Sequence, residues 1–217
     1  MDNSSPRSLR AQRKKMQILQ AAKLLFLKNG FSATSMDQIR EYAGVSKQTV
    51  YTYYSGKEEL LFDVIAHQLF LLSDDAFSEV LNDLSFSTPE EAEKSMIVFS
   101  KKMLNHFMQA DYLKMARMVV SEIVQFPELG KLFREAVPLR GLRNVEKLLK
   151  KANQASFITI NNTEIAARAY IGGLLTFIFI DGILTAAETV DFPTDDQIQS
   201  IVRFYMPSIL TMNQINR

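Results

Sequence analysis

The sequence predicts an all-α protein with a three-helix N-terminal domain and a larger helical C-terminal domain. Apolar residues recur at helical spacing along most of the 217 residues, and no segment shows a clear period of two. Side chains that commonly cap helices, such as Ser, Thr and Asn, also stand at the expected starts. We place the boundary so that residues 1–56 form the N-terminal domain and residues 57–217 the C-terminal domain.

The first helix is expected to follow a polar, flexible tail at residues 1–8 and to end at Asn29-Gly30. Its predicted buried face consists of four apolar residues: Ile18, Ala22, Leu25 and Phe26. Its first turns carry four basic residues that could contact phosphates or could be solvated: Arg10, Arg13, Lys14 and Lys15. The pattern alone does not decide between those two roles.

Two short helices follow, and their sequences predict a helix-turn-helix. Ser35 and Gln38 are spaced for a capping box at the start of the first. Gly44 suits a positive φ in the turn, and Ser46 can cap the second helix, which runs from Lys47 to about Tyr53. The apolar face of the first helix is predicted to contain Met36, Ile39, Tyr42 and Ala43. A glycine-containing turn between two short helices is typical of this motif.

The second short helix presents hydrogen-bonding side chains and aromatic rings on its outward face. These residues are Lys47, Gln48, Thr49, Thr52 and Tyr53, and Val50 points inward. A surface of this kind suits the major groove of double-stranded DNA. The charge distribution agrees, because residues 1–57 carry ten Lys/Arg and three Asp/Glu, whereas residues 58–217 carry 15 and 21. A basic region attracts the phosphate backbone at any base sequence.

The rest of the chain reads as further helices separated by Pro, Gly and Asn. The first begins at Lys57, capped by Ser55 with Glu58 or by Gly56 with Glu59. We expect these helices to span residues 57 to about 81, 89 to about 109, 111 to about 126, a short helix before Pro138, about 139 to 153, 163 to about 188, and 195 to 206. Thr88, Asn162 and Thr194 are the expected caps of three of them.

Several functional classes are disfavoured by composition. Cys is absent, so disulfides and thiolate metal sites are excluded, and the two histidines, His67 and His106, lack metal-ligand spacing. We therefore expect no metal and no cofactor. A Gly-rich phosphate loop and a plausible nucleophile–base pair are also missing from the sequence, which argues against an enzyme. The polar N-terminus is followed by no signal-peptide core, which predicts a cytoplasmic location.

The segment IGGLLTFIFI is the most apolar part of the chain. Arg168 and Asp181 bound a charge-free run of twelve residues, whereas a bilayer requires about 20. A core or subunit-interface helix is therefore expected rather than a membrane span. The role of Asp181 stays open between ligand recognition, pairing across a dimer, and solvent exposure.

At the level of these residues, the chain resembles TetR-type bacterial transcriptional regulators. The resemblance is strong over the first quarter and rests on Ile18-Leu19, Ala22, Phe26, Gly30-Phe31, Thr34-Ser35, Ile39, Ala43-Gly44-Val45-Ser46, Thr49-Val50-Tyr51, Tyr54 and Lys57-Glu58-Glu59-Leu60. The later chain, with FPELGKLFREA and a Gly-containing apolar helix, is similar to the branch that includes many multidrug-efflux repressors.

The resemblance implies an assignment of DNA-binding residues. Lys47, Gln48 and Thr49 would contact bases, whereas Ser35, Tyr51, Tyr53 and Lys57 would contact phosphates. Ser46 and Thr52 complete the predicted DNA-binding set. The sequence departs from the family pattern at Arg40, where a small residue is usual, and at Gly56, where a polar cap is usual.

Methionine and phenylalanine residues crowd the middle of the chain and suggest an effector pocket. Soft, adaptable side chains suit varied apolar ligands, although such residues more often form core. The predicted effector-binding residues are Met103, Phe107, Met115, Met118, Phe126 and Phe177. The predicted dimer interface, in the last two long helices, contains Gly173, Phe177, Ile201 and Tyr205.

The resulting hypothesis is a homodimeric repressor released from a palindromic operator by a small apolar or amphipathic effector. Effector binding would change the separation of two recognition helices, which must match half-sites about 34–36 Å apart or a multiple of that distance. The alternative is a constitutive or protein-responsive DNA-binding regulator without a small ligand, which a filled core at the predicted pocket would favour. The sequence does not distinguish repression from activation.

Overall fold

The computed structural model describes residues 6–71, 80–185 and 190–210, and within these ranges the fold is helical. An isolated antiparallel bridge joins Ile158 to Leu210. The α-helices are α1 (Pro6–Asn29), α2 (Met36–Tyr42), α3 (Lys47–Tyr53), α4 (Lys57–Leu71), α5 (Pro89–Phe107), α6 (Ala110–Glu122), α7 (Pro127–Ala136), α8 (Pro138–Ala152), α9 (Thr163–Thr176) and α10 (Asp195–Tyr205). The predicted all-α class and the N-terminal helix-turn-helix are confirmed.

The chain divides into two compact units that do not follow a single cut in the sequence. The N-terminal unit contains Met1–Leu72 and Met118–Phe133, and the second unit contains Ser73–Arg117 and Arg134–Arg217. Helices α6 and α7 therefore each contribute residues to both units. The predicted boundary at residue 56 stays a prediction, but α4, which begins just after it, packs against α1 within the N-terminal unit.

Much of the core of the N-terminal unit comes from the apolar faces of α1 to α4. Ile18 and Phe26 of α1 are buried together with Ile39 of α2, Val50 of α3 and Leu60 of α4. Gly44 has the predicted positive φ, 64°, and Gly30, at the predicted end of α1, also has a positive φ, 83°. Tyr42 is 62% exposed, so its predicted place on the buried face of α2 is wrong.

In the second unit, α9 packs against α8 and α10 packs against α5. Tyr170 of α9 is fully buried and exchanges a hydrogen bond with Ser100 at 2.5 Å; its hydroxyl also donates to the Met96 carbonyl oxygen at 2.9 Å. These contacts satisfy two buried hydroxyls, which would otherwise be costly to desolvate. Thr194 and Gln197 form the predicted capping box at the start of α10.

A π-helix, Phe177–Ile183, continues α9 and was not predicted from the sequence. Arg117 donates hydrogen bonds to the carbonyl oxygens of Gly182 at 2.7 Å and Thr185 at 2.9 Å, which satisfies groups exposed by the end of the helix. A Cβ at Gly182 would lie 2.7 Å from Cδ2 of Leu113, so this close approach requires glycine. The predicted end of this helix, near residue 188, lies outside the described residues.

By length and composition, Thr163–Ile183 could cross a membrane, since an 18-residue stretch of it has a mean hydropathy of 1.4. Within the structure, 33% of that stretch is buried. A helix of this kind is also typical of a protein core. Apolar side chains on it are exposed at Ile165, Leu175, Phe179 and Ile180. This stretch of the chain therefore combines buried side chains with an exposed apolar face.

Other boundaries differ from the predictions in ways that have local causes. The helix α1 begins at Pro6, within the predicted tail, and proline suits the first helical position. The helix α6 ends at Glu122 rather than near Phe126, and a turn follows in which the amides of Gln125 and Phe126 both donate to the Glu122 carbonyl oxygen. The described part of α4 ends at Leu71, and the predicted end near residue 81 follows a stretch outside the described residues.

Candidate nucleic-acid interface

Side-chain caps fix the backbone of the helix-turn-helix. Ser35 and Gln38 form the predicted capping box at the start of α2. At the start of α3, the Ser46 hydroxyl accepts from the Thr49 amide at 3.2 Å and shares a 2.8 Å hydrogen bond with the Thr49 hydroxyl. These contacts satisfy helix-end groups and hold the first turn of α3 in one conformation. Ser46 and Thr49 are thus engaged locally, and their predicted DNA contacts stay predictions.

The outward face of α3 is polar and accessible. Lys47 and Gln48 are exposed, and Tyr51 is 46% exposed with its ring centroid 5.9 Å from the Lys47 Nζ. The Thr52 hydroxyl donates to the Gln48 carbonyl oxygen at 2.7 Å, which uses its donor within the helix. Lys47, Gln48 and Tyr51 therefore present the free hydrogen-bonding chemistry of this face.

Tyr53, at the end of α3, connects the recognition helix to α1. Its hydroxyl donates to the Ala11 carbonyl oxygen at 3.2 Å, and its side chain is half-buried. Sequence reasoning assigned Tyr53 to a phosphate. The structure gives it a second role, which is to fix the angle between α3 and the first turns of α1.

Lys57 is held inside the N-terminal unit. Its ammonium donates to the carbonyl oxygens of Phe31 at 2.8 Å and Ser32 at 3.3 Å, and Nζ lies 4.3 Å from the Phe31 ring centroid. These contacts tie the start of α4 to the loop that precedes α2. The phosphate contact predicted for Lys57 would have to coexist with this positioning role.

Asp63, which the sequence analysis did not single out, holds a second basic residue, Lys15, in place. Asp63 forms an ion pair with Lys15 at 2.9 Å and accepts a hydrogen bond from the Tyr54 hydroxyl at 2.7 Å. Burial would raise the pKa of Asp63, but these hydrogen bonds outweigh it and leave the pKa lowered. Burial and the Asp63 contact raise the pKa of Tyr54. Lys15 therefore has a structural partner, which differs from both roles that the sequence left open for it, a phosphate contact and a solvated charge.

The two departures from the family pattern have local explanations. Arg40 donates to Asp37 at 2.8 Å across one helical turn, and this hydrogen bond lowers the Asp37 pKa and raises that of Arg40. At the start of α4, the Ser55 amide and hydroxyl both donate to Glu59, at 2.7 and 2.8 Å. Ser55 is therefore paired with Glu59, which differs from both predicted capping arrangements.

The predicted effector residues belong to two different units. Met103, Phe107, Met115 and Phe177 lie in the second unit, whereas Met118 and Phe126 lie in the N-terminal unit. The three methionines are buried, and the three phenylalanines are partly exposed. Their role in effector binding stays a prediction.

Two of the phenylalanines make aromatic contacts within their own unit. The Phe107 ring meets the Tyr112 ring at 5.1 Å, and burial raises the pKa of Tyr112. The Phe126 ring meets the Phe31 ring edge-on at 5.6 Å. Phe126 is therefore part of the packing around the helix-turn-helix.

The predicted dimer residues lie beside an exposed apolar face. A Cβ on Gly173 would lie 3.4 Å from Ile201, so these two residues pack against each other within the chain. Tyr205 is buried, and its hydroxyl donates to the Ala166 carbonyl oxygen at 3.0 Å; burial raises its pKa to about 12. The apolar side chains that are actually exposed on α9, the π-helix region and α10 are Ile165, Leu175, Phe179, Ile180, Leu184 and Phe204.

Two family models match the chain. The model for bacterial regulatory proteins of the tetR family matches residues 18–64, and the model for the C-terminal domain of AefR-like transcriptional repressors matches residues 94–207. The chain belongs to the TetR family. Its N-terminal match contains α2 and α3, so the helix-turn-helix described above is the DNA-binding element of a TetR-family transcriptional regulator.

Similar proteins are transcriptional regulators rather than enzymes. The uncharacterized HTH-type regulator YhgD of Bacillus subtilis is 26% identical over 64% of this chain, and the match spans 65% of the length of YhgD. The HTH-type transcriptional repressor NicS of Pseudomonas putida is 30% identical over 43% of this chain and 42% of its own. This chain therefore spans less than two thirds of these curated relatives.

Solved structures share the fold. A TetR-family regulator from Mesorhizobium loti has a TM-score of 0.80 at 24% identity, with 93% of this chain and 99% of that chain covered. The flavonoid-responsive regulator FrrA has a TM-score of 0.64 at 26% identity over 93% of this chain and 99% of its own. The helical architecture therefore extends over nearly the whole TetR-family chain.

Proposed function

We propose that this TetR-family protein is a homodimeric repressor that leaves a palindromic operator when a small apolar or amphipathic molecule binds. The observation that carries the DNA-binding part is the capped helix α3, whose exposed face offers Lys47 and Gln48. Lysine can donate to guanine acceptors and glutamine can form two hydrogen bonds with adenine, both in the major groove. The net charge of +7 over residues 1–57 supports attraction to the phosphate backbone.

The homodimer is supported by the exposed apolar face on α9 and α10. Phe204 is 90% exposed and Leu184 is 64% exposed, and Ile165, Leu175, Phe179 and Ile180 are also exposed. A concentration of exposed apolar side chains is typical of interaction surfaces. Two copies meeting through the same face would give the two-fold symmetry that a palindromic operator mirrors. Burial of this face between two copies would explain why Thr163–Ile183 is apolar without placing it in a membrane. This supports a cytoplasmic location.

The effector part is supported by the buried Met103 and Met115 and by the relative FrrA, whose name describes a response to flavonoids. Methionine side chains can repack around ligands of different shape. Coupling of about 1–3 kcal/mol between sites, common in allosteric proteins, would weaken operator binding roughly 5- to 150-fold. The repressor description of NicS favours repression over activation for this chain.

Selection of binding sites from random duplex DNA tests this function. We expect an inverted repeat to be enriched and to be bound by a dimer, with Gln48→Ala relaxing the preference at one base pair of each half-site. Apolar and amphipathic compounds can then be screened for release of that operator, with Met103→Ala and Met115→Ala as pocket variants and Val98→Ala, an exposed residue on α5, as the control. Enrichment of no sequence would contradict operator binding. If both methionine variants released the operator as the wild type does, the effector would bind elsewhere in the protein.

A further inference from the structure

A concave basic site lies beside the recognition helix, between the first turns of α1 and the end of α3. Arg10, Ala11, Arg13 and Lys14 of α1 and Tyr53 of α3 line it, and its volume is about 400 Å³. We call these five residues the basic notch. The hydrogen bond from Tyr53 to the Ala11 carbonyl oxygen crosses between its two walls.

The three cations of the basic notch are not used in ion pairs within the described residues, whereas two neighbouring lysines are held by contacts inside the protein. Within the described ranges, Arg10, Arg13 and Lys14 take part in no ion pair, and all three side chains are exposed. By contrast, Lys15 is paired with Asp63 at 2.9 Å, and Lys57 is bound to the Phe31 carbonyl oxygen at 2.8 Å. The sequence left the same two alternatives for Lys15 as for the three cations of the notch, and the structure separates Lys15, which has an internal partner, from the other three.

We propose that the basic notch binds the phosphate backbone of DNA beside the bases addressed by α3. This inference rests on the proposed function and adds to it a phosphate site that lies outside the helix-turn-helix. Three cations converging on one concavity suit the dense negative charge of duplex DNA, and arginine forks match phosphate oxygens. Tyr53 supplies the wall on the α3 side and fixes the notch relative to the recognition helix.

The position of the notch determines what it does. Tyr53 is the last residue of α3, and Lys47 is the first, so the notch and the predicted base contacts lie at opposite ends of this helix. A seven-residue helix is about 10 Å long. Anchoring one end to a phosphate while the other reads bases fixes the register of the helix in the groove, because phosphate contacts set orientation and carry no sequence information.

The salt dependence of binding to a duplex of arbitrary sequence tests this proposal without requiring an operator. The test variant is Arg10→Gln combined with Arg13→Gln and Lys14→Gln. The matched control also removes three positive charges, but from exposed lysines of the second unit, with Lys102→Gln, Lys114→Gln and Lys147→Gln. Log K falls as log salt rises, and this dependence should be shallower in the notch variant, by about 0.9 in slope for each phosphate that it no longer neutralises. The control should keep the wild-type slope.

Two further measurements locate the effect. Tyr53→Phe removes the hydrogen bond to Ala11 and keeps every charge, so it should weaken binding less than the triple variant. Thermal unfolding should be alike in the notch variant and the wild type, because the three side chains are exposed. Equal slopes in the notch variant and the control would overturn the notch while leaving operator binding intact. A wild-type protein that prefers no base sequence would overturn the proposed function, and the slope comparison would still decide the notch.

Discussion

The Lys57 ammonium lies 4.3 Å from the centre of the Phe31 ring and donates a 2.8 Å hydrogen bond to the carbonyl oxygen of the same residue. One side chain thus satisfies a loop carbonyl and covers an aromatic face, and it does so at the start of the helix that follows the helix-turn-helix. An ammonium has three donors, and the Phe31 and Ser32 carbonyls accept two of them. The phosphate contact predicted for Lys57 would use the third.

Lys57→Met should therefore change two properties that can be measured separately. Loss of charged hydrogen bonds and of the ring contact should lower the free energy of unfolding by about 1–3 kcal/mol, measured by chemical denaturation. If the third proton reaches a phosphate, the salt slope of DNA binding should also fall by about 0.9 per subunit. Lys28→Met, at the exposed end of α1, is the control for loss of one charge. Unaltered stability would contradict the positioning role.

Gln48→Ala should affect sequence discrimination rather than general affinity. The Gln48 side chain is exposed on the first turn of α3, where it can form two hydrogen bonds with a base edge. We expect a loss of about 1–3 kcal/mol on the selected operator and relaxed preference at one base pair per half-site. Binding to single-base operator variants measures this. An equal loss on every sequence would assign Gln48 to the phosphate backbone instead.

Phe204→Glu should dissociate the proposed dimer. Phe204 is 90% exposed on α10, so the substitution leaves the fold of one subunit undisturbed while placing a charge in the proposed interface. Truncation of a central aromatic side chain commonly costs about 2 kcal/mol or more, which is roughly a 30-fold rise in Kd. Val124→Glu, 91% exposed in the N-terminal unit, is the control for sedimentation. Substitution of Gly173 is less informative, because a Cβ there would already contact Ile201.

Stability should fall below neutral pH through His106. Burial, and to a smaller extent Lys102, lowers the pKa of His106 from its usual value of 6.5. As the pH falls through 6.5, the unfolded chain therefore binds a proton that the folded chain does not, and the free energy of unfolding decreases until the pH reaches the folded pKa. Denaturation at pH 5.5 and 7.5 should show a smaller difference for His106→Gln than for wild type. His67→Gln is the control, and an equal pH response in all three proteins would contradict this assignment.

The features that sequence predicted well depend on neighbouring residues. Ser35 with Gln38 and Thr194 with Gln197 form the capping boxes expected from three-residue spacing, and Gly44 has the positive φ expected of the turn. These interactions close within one helical turn, so local sequence determines them.

Contacts between distant residues could not be predicted in the same way. Lys57 and Phe31 are 26 residues apart, and Tyr53 and Ala11 are 42 apart, so no spacing rule connects them. The close approach of Gly182, in the π-helix, to Leu113 is likewise a tertiary contact that no local spacing predicts. Tyr42 was misplaced because helical periodicity assigns a face to a residue without showing whether another element covers it.

The edge-on contact between Phe126 and Phe31 has a consequence for protein engineering. Residues 118–133 complete the packing of the N-terminal unit, so a graft that ends at residue 56 would transfer the recognition helix without part of its support. In a chimeric regulator that exchanges only the first helices, Phe31 of one parent would pack against the side chain that the other parent has in place of Phe126. Exchanges of DNA specificity should therefore keep both rings from one parent, or replace only the exposed face of α3.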